Sequence, residues 1–208
     1  MIKYYKIYCD LDGVLIDWDA GFESISGGLS AEEYGNRYSK SKSFKIIGDA
    51  GPEWWSNLKW KSDGPKLWKF LTDTFSSVSI CTSAGDRGLF ATNAKIGKPK
   101  WVSKNIPEFD QSKLIMVSSS KEKSKFASPT SILIDDREKS INPWVAAGGI
   151  GILHTRTTDT INQLKTHIMK KELMQSVKQI VSDSKQKKQP IVESIDDETN
   201  IVVKDYGN

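Results

Sequence analysis

The chain has 208 residues, of which 38% are hydrophobic and 27% charged, and its net charge is +4. A chain of this length can bury one substantial core, and it has no apolar run near the roughly 20 residues that span a bilayer. The mild, evenly spread charge gives no indication of nucleic-acid binding, and the two cysteines are too few for a disulfide framework.

Short apolar runs predict five strands, and the segments between them have helical character. One such segment opens at Gly64-Pro65, another runs from about Ala94 to Asn105, and a third spans Glu138 to Ala147. Strands that alternate with helices predict an α/β fold, a Rossmann-like parallel sheet with helices on both faces. The predicted strands are Tyr5 to Cys9, Val78 to Cys81, Leu114 to Val117, Ile132 to Ile134 and Ile150 to His154.

Residues 17–61 interrupt this alternation. The segment is polar and aromatic, and Ser30 followed by Glu33 has the pattern of a capping box at a helix start. More than forty residues are long for an ordinary loop, so we predict a small, mainly helical cap inserted after the first strand. Residues 1–16 and 62–181 then form the core.

Beyond His154, apolar residues recur near the helical period from Ile161 to Ile180, which predicts one or two helices. Residues 182–208 are lysine-rich, then acidic, and poor in large apolar groups, so we predict a polar, flexible tail. Within it, Ile201 to Val203 could add an edge strand.

Two carboxylates two residues apart, Asp10 and Asp12, follow the first predicted strand and precede Gly13. Side chains at i and i+2 of an extended segment point the same way, and ligands of open parallel sheets bind at the carboxyl ends of the strands. Close carboxylates repel unless a cation or a shared proton intervenes, and Mg²⁺ prefers oxygen ligands. An acidic turn with a glycine is the alternative.

Polar groups follow other strands too. Thr82 and Ser83 can offer a hydroxyl and backbone N–H groups to a phosphate, although such residues are also common in turns. Asp135-Asp136 form a second acidic pair, of which one is predicted to bind a metal ion unless Arg137 neutralises it. Lys121, Lys123 or Lys125 could neutralise a phosphate. We otherwise interpret the lysine-rich stretches, including Lys95 to Lys104, as solvated helix faces.

In this order, the pieces resemble the haloacid dehalogenase superfamily of phosphotransferases. The resemblance covers roughly residues 4 to 155: Asp10-Leu11-Asp12-Gly13-Val14, a strand ending in Thr82, a lysine, and a strand ending in Asp135-Asp136. The sequence at Ile80-Cys81-Thr82-Ser83 and from Ile132 to Arg137 is similar to that of the 5′(3′)-deoxyribonucleotidase branch, including its phage and bacterial relatives.

This resemblance implies that Asp10 is the nucleophile that takes the phosphoryl group. Asp12 would be the acid/base and would also give its backbone carbonyl to Mg²⁺, with Asp10 and Asp136 as carboxylate ligands. Thr82 and the backbone near Ser83 would bind phosphate oxygens.

For the phosphate-binding lysine, the spacing fits Lys123 best, with Lys121 and Lys125 as competitors. In the same branch an aromatic residue shortly after the first motif stacks on the base, and Trp18 has that place. Trp54 and Trp55 could line the same pocket from the cap, or could instead form the cap's own core.

The resemblance therefore implies a Mg²⁺-dependent 5′-nucleotidase that acts on (deoxy)nucleoside monophosphates. The first alternative is a polynucleotide 3′-phosphatase, because Asp135-Asp136-Arg137 followed by Trp144 and Gly148-Gly149 is also similar to that group. The second is a non-catalytic binding or regulatory module with the same fold.

The first residues enter a strand at once and lack the apolar core of a signal peptide. We therefore expect the protein in the cytoplasm, or in the host cytoplasm if it is phage-encoded. Relatives are often homodimers, and no residue here demands one.

Overall fold

The structure, a computed structural model, describes residues 1–186 of the chain. It divides into two compact units, Met1–Lys165 and one that begins at Thr166. The first unit contains the whole sheet and the candidate site. The predicted edge strand near Val202 lies outside the described residues.

A five-stranded parallel sheet forms the centre of the first unit, in the order β3-β2-β1-β4-β5. This confirms the predicted α/β class, and each strand differs from its predicted bounds by at most two residues at either end. The strands are β1 (Lys6–Cys9), β2 (Val78–Ser83), β3 (Leu114–Val117), β4 (Ser131–Asp135) and β5 (Ile150–Leu153). Strand β4 is buried along its whole length and contains two isoleucines, as is typical of strands in a parallel sheet covered on both faces.

The insertion after β1 is helical. Its first helix is followed by one that begins with the predicted capping box, in which Ser30 and Glu33 bond reciprocally. The helices of this cap are α1 (Trp18–Ser26), α2 (Ala31–Arg37), α3 (Lys40–Asp49) and α4 (Gly51–Ser56).

Four further α-helices lie outside the cap in the described part of the chain. They are α5 (Gly64–Thr74), α6 (Gly88–Asn105), α7 (Glu138–Ala146) and α8 (Thr157–Gln186). Helix α6 starts six residues before its prediction, and Pro99 lies inside it. Helix α8 is continuous across the predicted boundary between core and tail at residue 182. Among the described residues, none of the helices is long and apolar enough to cross a membrane.

Helix α6 joins the cap to the sheet. Asn93 donates from Nδ2 to the carbonyl of Gly48 at 2.7 Å, and Trp101 donates from Nε1 to the carbonyl of Leu58 at 2.7 Å. A Cβ atom at Gly97 would lie 2.3 Å from the Cβ of Trp55, so only glycine permits this close approach of α6 to α4. The cap is therefore fastened to a core helix by buried bonds.

Candidate active site

The acidic motif after β1 lies at the carboxyl end of the sheet, beside the end of β4. Asp10 is buried, and its Oδ1 atom accepts from the backbone N–H of Leu11 at 2.7 Å. Its own N–H donates to the carbonyl of Ile134 at 2.8 Å. These bonds fix the Asp10 carboxylate at the junction of the two central strands.

Three carboxylates converge here. Ligand atoms of Asp10, Asp135 and Asp136 all lie within 4.8 Å of one another, a grouping that can hold a metal ion. Burial, followed by repulsion from Asp10, raises the pKa of Asp135 to about 6. Desolvation, followed by repulsion from Asp10 and Asp135, raises the pKa of Asp136 to about 7. The cluster is therefore electrostatically strained in the absence of a cation.

Gly13 lets the loop after β1 pass against this cluster. Its φ is +76°, a left-handed conformation that favours glycine. A Cβ atom at this position would lie 2.3 Å from Oδ2 of Asp136. The glycine is therefore required both by the turn and by the approach of Asp136.

Lys123 pairs with two of the carboxylates. It lies in a 3₁₀ segment, Ser120–Phe126, and its Nζ is 2.9 Å from Oδ1 of Asp10 and 2.6 Å from Oδ2 of Asp135. Burial would lower its pKa, but the two carboxylates more than offset this, so the Lys123 pKa is raised and the ammonium stays charged. Of the three lysines that the sequence left open here, Lys123 is buried at the site, whereas Lys121 and Lys125 are exposed.

A second buried lysine, Lys98 of α6, lies on the other side of the motif. Its Nζ is 2.6 Å from Oδ2 of Asp12 and 2.8 Å from Oγ1 of Thr82, and 2.6 Å from the carbonyl oxygen of Ser83. Its side chain is completely buried. Burial raises the pKa of Asp12, although Lys98 acts in the opposite direction.

The interpretation of Lys95 to Lys104 as a solvated face is thus wrong for Lys98. The sequence contains one indication that Lys98 is buried, namely its helical spacing from apolar residues. Ala94 lies four positions before it and Trp101 three positions after it, so all three share the buried face of α6. The neighbouring Lys100 fits the original interpretation, because it is exposed and pairs with Glu53 on the surface.

Thr82 and Ser83 are the last two residues of β2, the strand next to β1. Thr82 is buried, and its hydroxyl accepts from Lys98, which also contacts Asp12. Cys9, at the end of β1, and Cys81, inside β2, are buried free thiols. Burial raises the pKa of Cys81 to about 12, so this thiol stays protonated and takes no part in nucleophilic chemistry at neutral pH.

The three tryptophans assigned to the substrate differ in exposure. Trp18 is half-buried, stacks on Phe22 with centroids 5.3 Å apart, and meets Trp54 edge-on at 6.3 Å. Trp54 is half-buried and donates from Nε1 to the carbonyl of Gly21. Trp55 is only 1% exposed and lies with its ring centroid 4.9 Å from Nζ of Lys98. Its ring is covered by the chain's own residues.

No protein-family model and no curated protein matches the sequence. Among solved structures, the chain is similar to a hydrolase from Streptococcus pneumoniae, with 12% identity over 79% of this chain and 100% of that one, and a TM-score of 0.50. A HAD-family enzyme from Bacteroides thetaiotaomicron, solved with magnesium and inorganic phosphate, is 17% identical over 73% of this chain and 94% of that one, with a TM-score of 0.41. A HAD hydrolase of family IA from Entamoeba histolytica is 17% identical over 71% and 83%, with a TM-score of 0.40.

At these identities the likeness is one of fold. The chain shares its parallel α/β architecture with the hydrolase from Streptococcus pneumoniae.

Proposed function

We propose that this chain is a Mg²⁺-dependent phosphomonoesterase that works through a phosphoryl group carried by Asp10. One observation carries the proposal: the ligand atoms of Asp10, Asp135 and Asp136 converge within 4.8 Å, with Lys123 bonded to Asp10. A nucleophilic carboxylate beside a cation site and a buried ammonium is what phosphoryl transfer needs, because the reaction depends on positioning and charge neutralisation.

The residues present fit a hard divalent cation. Three carboxylates face one buried ammonium, and the raised pKa values of Asp135 and Asp136 indicate that negative charge in the cluster is only partly compensated. Both oxygens of Asp135 are already engaged, Oδ2 by Lys123 and Oδ1 by the N–H of Arg137 at 3.0 Å. Asp10 and Asp136, with the backbone carbonyl of Asp12, are therefore the proposed ligands of Mg²⁺, which would offset the charge of the substrate's phosphoryl group.

The two aspartates of the motif then have different tasks. A carboxylate oxygen of Asp10 attacks phosphorus, the bond to the ester oxygen breaks, and its electron pair goes to that oxygen. Asp12 gives its proton to that oxygen, which departs as an alcohol. In the second half, Asp12 takes a proton from water as the water oxygen attacks phosphorus, the bond to Asp10 breaks, and phosphate is released.

Thr82, the backbone near Ser83, and Lys123 are the proposed phosphate-binding groups. An ammonium group has three protons, and the two carboxylate contacts of Lys123 account for two of them. The third can reach a phosphoryl oxygen in the crevice.

The proposed substrate is a (deoxy)nucleoside monophosphate. Trp18 and Trp54 support this, because both are half-buried aromatic rings in the cap helices that follow the catalytic motif. A half-buried ring keeps a face or edge on which a base can stack. Trp55 is left out of the base pocket because its ring is already covered.

A polynucleotide 3′-phosphatase is the second candidate, and one observation favours it. Desolvation and then the charge of Arg137 lower the pKa of Lys139, and Lys40 of the cap lowers it further. The charges of Arg137, Lys139 and Lys40 thus influence one another, and Lys139 also interacts with Asp135 and Asp136. These cations could contact the phosphates of a strand end.

Phosphate release from a substrate panel tests the proposal. The purified protein is incubated with Mg²⁺ and nucleoside monophosphates, sugar phosphates or a 3′-phosphorylated oligonucleotide, with Asp10→Asn as control. We expect release from the mononucleotides and none by the variant. Release from the oligonucleotide alone would favour the second candidate, whereas no release, or equal release by Asp10→Asn, would contradict catalysis.

Trp18→Ala tests the base pocket separately. Base–aromatic stacking contributes about 1–3 kcal/mol, so we expect kcat/KM for nucleoside monophosphates to fall about 10-fold or more. Turnover of a small sugar phosphate should stay nearly constant, since it has no base to stack. Equal losses on both substrates would remove Trp18 from the pocket.

A further inference from the structure

Lys98 uses all of its hydrogen-bonding capacity inside the site. Its three short contacts, to Asp12, Thr82 and the carbonyl of Ser83, match the three protons of an ammonium group. Its side chain is 0% exposed. No proton is left for a phosphoryl oxygen, so this lysine differs in kind from one that binds substrate.

We propose that Lys98 is a positioning residue that orients Asp12 and Thr82 toward the leaving-group side of the reaction. The inference rests on the proposed phosphomonoesterase function. In this role Lys98 gives the side chains of Asp12 and Thr82 one defined hydrogen-bonding direction each.

For Asp12, Lys98 separates the two carboxyl oxygens. Oδ2 is held at 2.6 Å by Lys98, whereas Oδ1 is covered and has no hydrogen-bond partner among the described residues. Unpaired buried polar atoms are rare in native structures, and a catalytic role is one explanation for such an atom. Oδ1 is thus the oxygen that delivers the proton when the ester bond breaks and its electron pair moves to the leaving oxygen.

For Thr82, Lys98 fixes the direction of the hydroxyl proton. A hydroxyl has one proton to donate and two lone pairs that accept. Because Oγ1 accepts from Lys98 at 2.8 Å, the Thr82 proton is left to donate to a different acceptor, for which we propose a phosphoryl oxygen.

Helix α6 holds Lys98 rigidly enough for this role. Gly97, next to it, is in such close approach to α4 that a Cβ atom would lie 2.4 Å from the carbonyl oxygen of Pro52. The Trp55 ring lies 4.9 Å from Nζ, within cation–π range. The lysine is therefore fixed by the packing between helix and cap as well as by its own bonds.

Leaving-group dependence distinguishes this role from simple charge neutralisation. We compare Lys98→Met with the wild type on p-nitrophenyl phosphate, whose phenolate departs without a proton, and on phenyl phosphate, which is similar in shape but needs protonation. General acid catalysis contributes about 10²–10⁴-fold. We expect kcat/KM of Lys98→Met to fall about 100-fold on phenyl phosphate and less than about 10-fold on p-nitrophenyl phosphate.

Lys100→Met is the matched control, because it removes a lysine from the same helix and alters only a surface ion pair. It should leave both rates within about twofold. Equal losses by Lys98→Met on the two esters would overturn the positioning role while leaving the phosphatase function standing. No turnover of either ester by the wild type would overturn both.

If Lys98→Met fails to fold, Lys98→Gln gives the same comparison. The glutamine side chain is neutral and shorter than that of lysine, but its amide retains two protons to donate. We expect its loss on phenyl phosphate again to exceed its loss on p-nitrophenyl phosphate, and equal losses would overturn the inference.

Discussion

The two buried lysines divide the candidate site into halves of different electrostatic character. On the side of Lys123, three carboxylates face one ammonium. On the side of Lys98, one carboxylate, that of Asp12, faces one ammonium, and the remaining contacts of the lysine are neutral oxygens. One half is short of positive charge and the other is balanced.

In the proposed mechanism, this difference indicates where each step takes place. The half with excess negative charge is the one that can take a divalent cation and a phosphoryl group together. The balanced half has no need of a further cation, so it can hold a carboxyl group whose task is to transfer a proton. Two similar side chains thus support different steps because their partners differ in number and charge.

Lys123→Met should break the first half most severely. Removing one partner of a buried ion pair leaves an uncompensated charge and costs about 3–5 kcal/mol, and here two carboxylates lose their partner. We expect urea titrations without Mg²⁺ to show a fall of about 3–5 kcal/mol in the free energy of unfolding. The fall should be smaller for Lys98→Met, because that variant leaves only one carboxylate without its partner. A larger loss for Lys98→Met would contradict the division.

The sequence predicted the two halves unequally. Asp10, Asp12, Thr82 and Asp136 follow strands of a parallel sheet, and the carboxyl ends of such strands must share one edge. The sequence limited the candidate lysine to residues 121–125. Only its burial in the structure distinguishes Lys123 from Lys121 and Lys125.

The sequence did not predict Lys98 as a site residue, because a helix lysine within a lysine-rich stretch is ordinarily solvated. Its burial depends on long-range packing of α6 against α4, which brings together residues more than forty positions apart. The period of the apolar residues indicated which face of the helix was buried but not which polar group shared it. The cap helices were predicted by length and a capping box, whereas their attachment to α6 depends on tertiary contacts.

Mg²⁺ affinity should depend on pH only through the half with excess charge. The raised pKa values of about 6 for Asp135 and about 7 for Asp136 mean that the metal-free cluster holds protons that a cation must displace. Affinity should therefore rise about 10-fold from about pH 6 to about pH 8, with proton release in calorimetry in two buffers. A flat profile would contradict this charge distribution.

The same groups give the sign for stability. An acid whose pKa is raised in the folded state stabilises the fold fully below its unfolded value, and this contribution is lost as pH rises through the folded value. Without Mg²⁺, the wild type should thus lose stability relative to Asp136→Asn as pH rises from about 4 through about 7, a window bounded by the ordinary pKa of 3.8 and the raised value. Saturating Mg²⁺ should remove this loss.

Gly13→Ala should have a smaller and more local effect. The added Cβ atom would collide with Asp136 and displace a proposed ligand, besides the strain of about 1–2 kcal/mol that a left-handed conformation imposes. We expect weaker Mg²⁺ binding in a calorimetric titration together with a modest loss of stability.

Gly27→Ala is its control, since Gly27 has the same φ of +76° and no atom within 4 Å of an added Cβ. It should show the strain alone and bind Mg²⁺ as the wild type does. Equal Mg²⁺ affinity in the two variants would remove the link between Gly13 and the metal ligand.

Chemical trapping of the phosphoryl group reveals whether Asp10 carries it during turnover. Borohydride reduces an acyl phosphate to an alcohol, so a phosphorylated aspartate becomes homoserine. After turnover is quenched with acid and the protein is reduced, we expect mass spectrometry to find homoserine at position 10, only when substrate and Mg²⁺ were both present. Turnover without homoserine at position 10, or homoserine at another aspartate, would contradict the account.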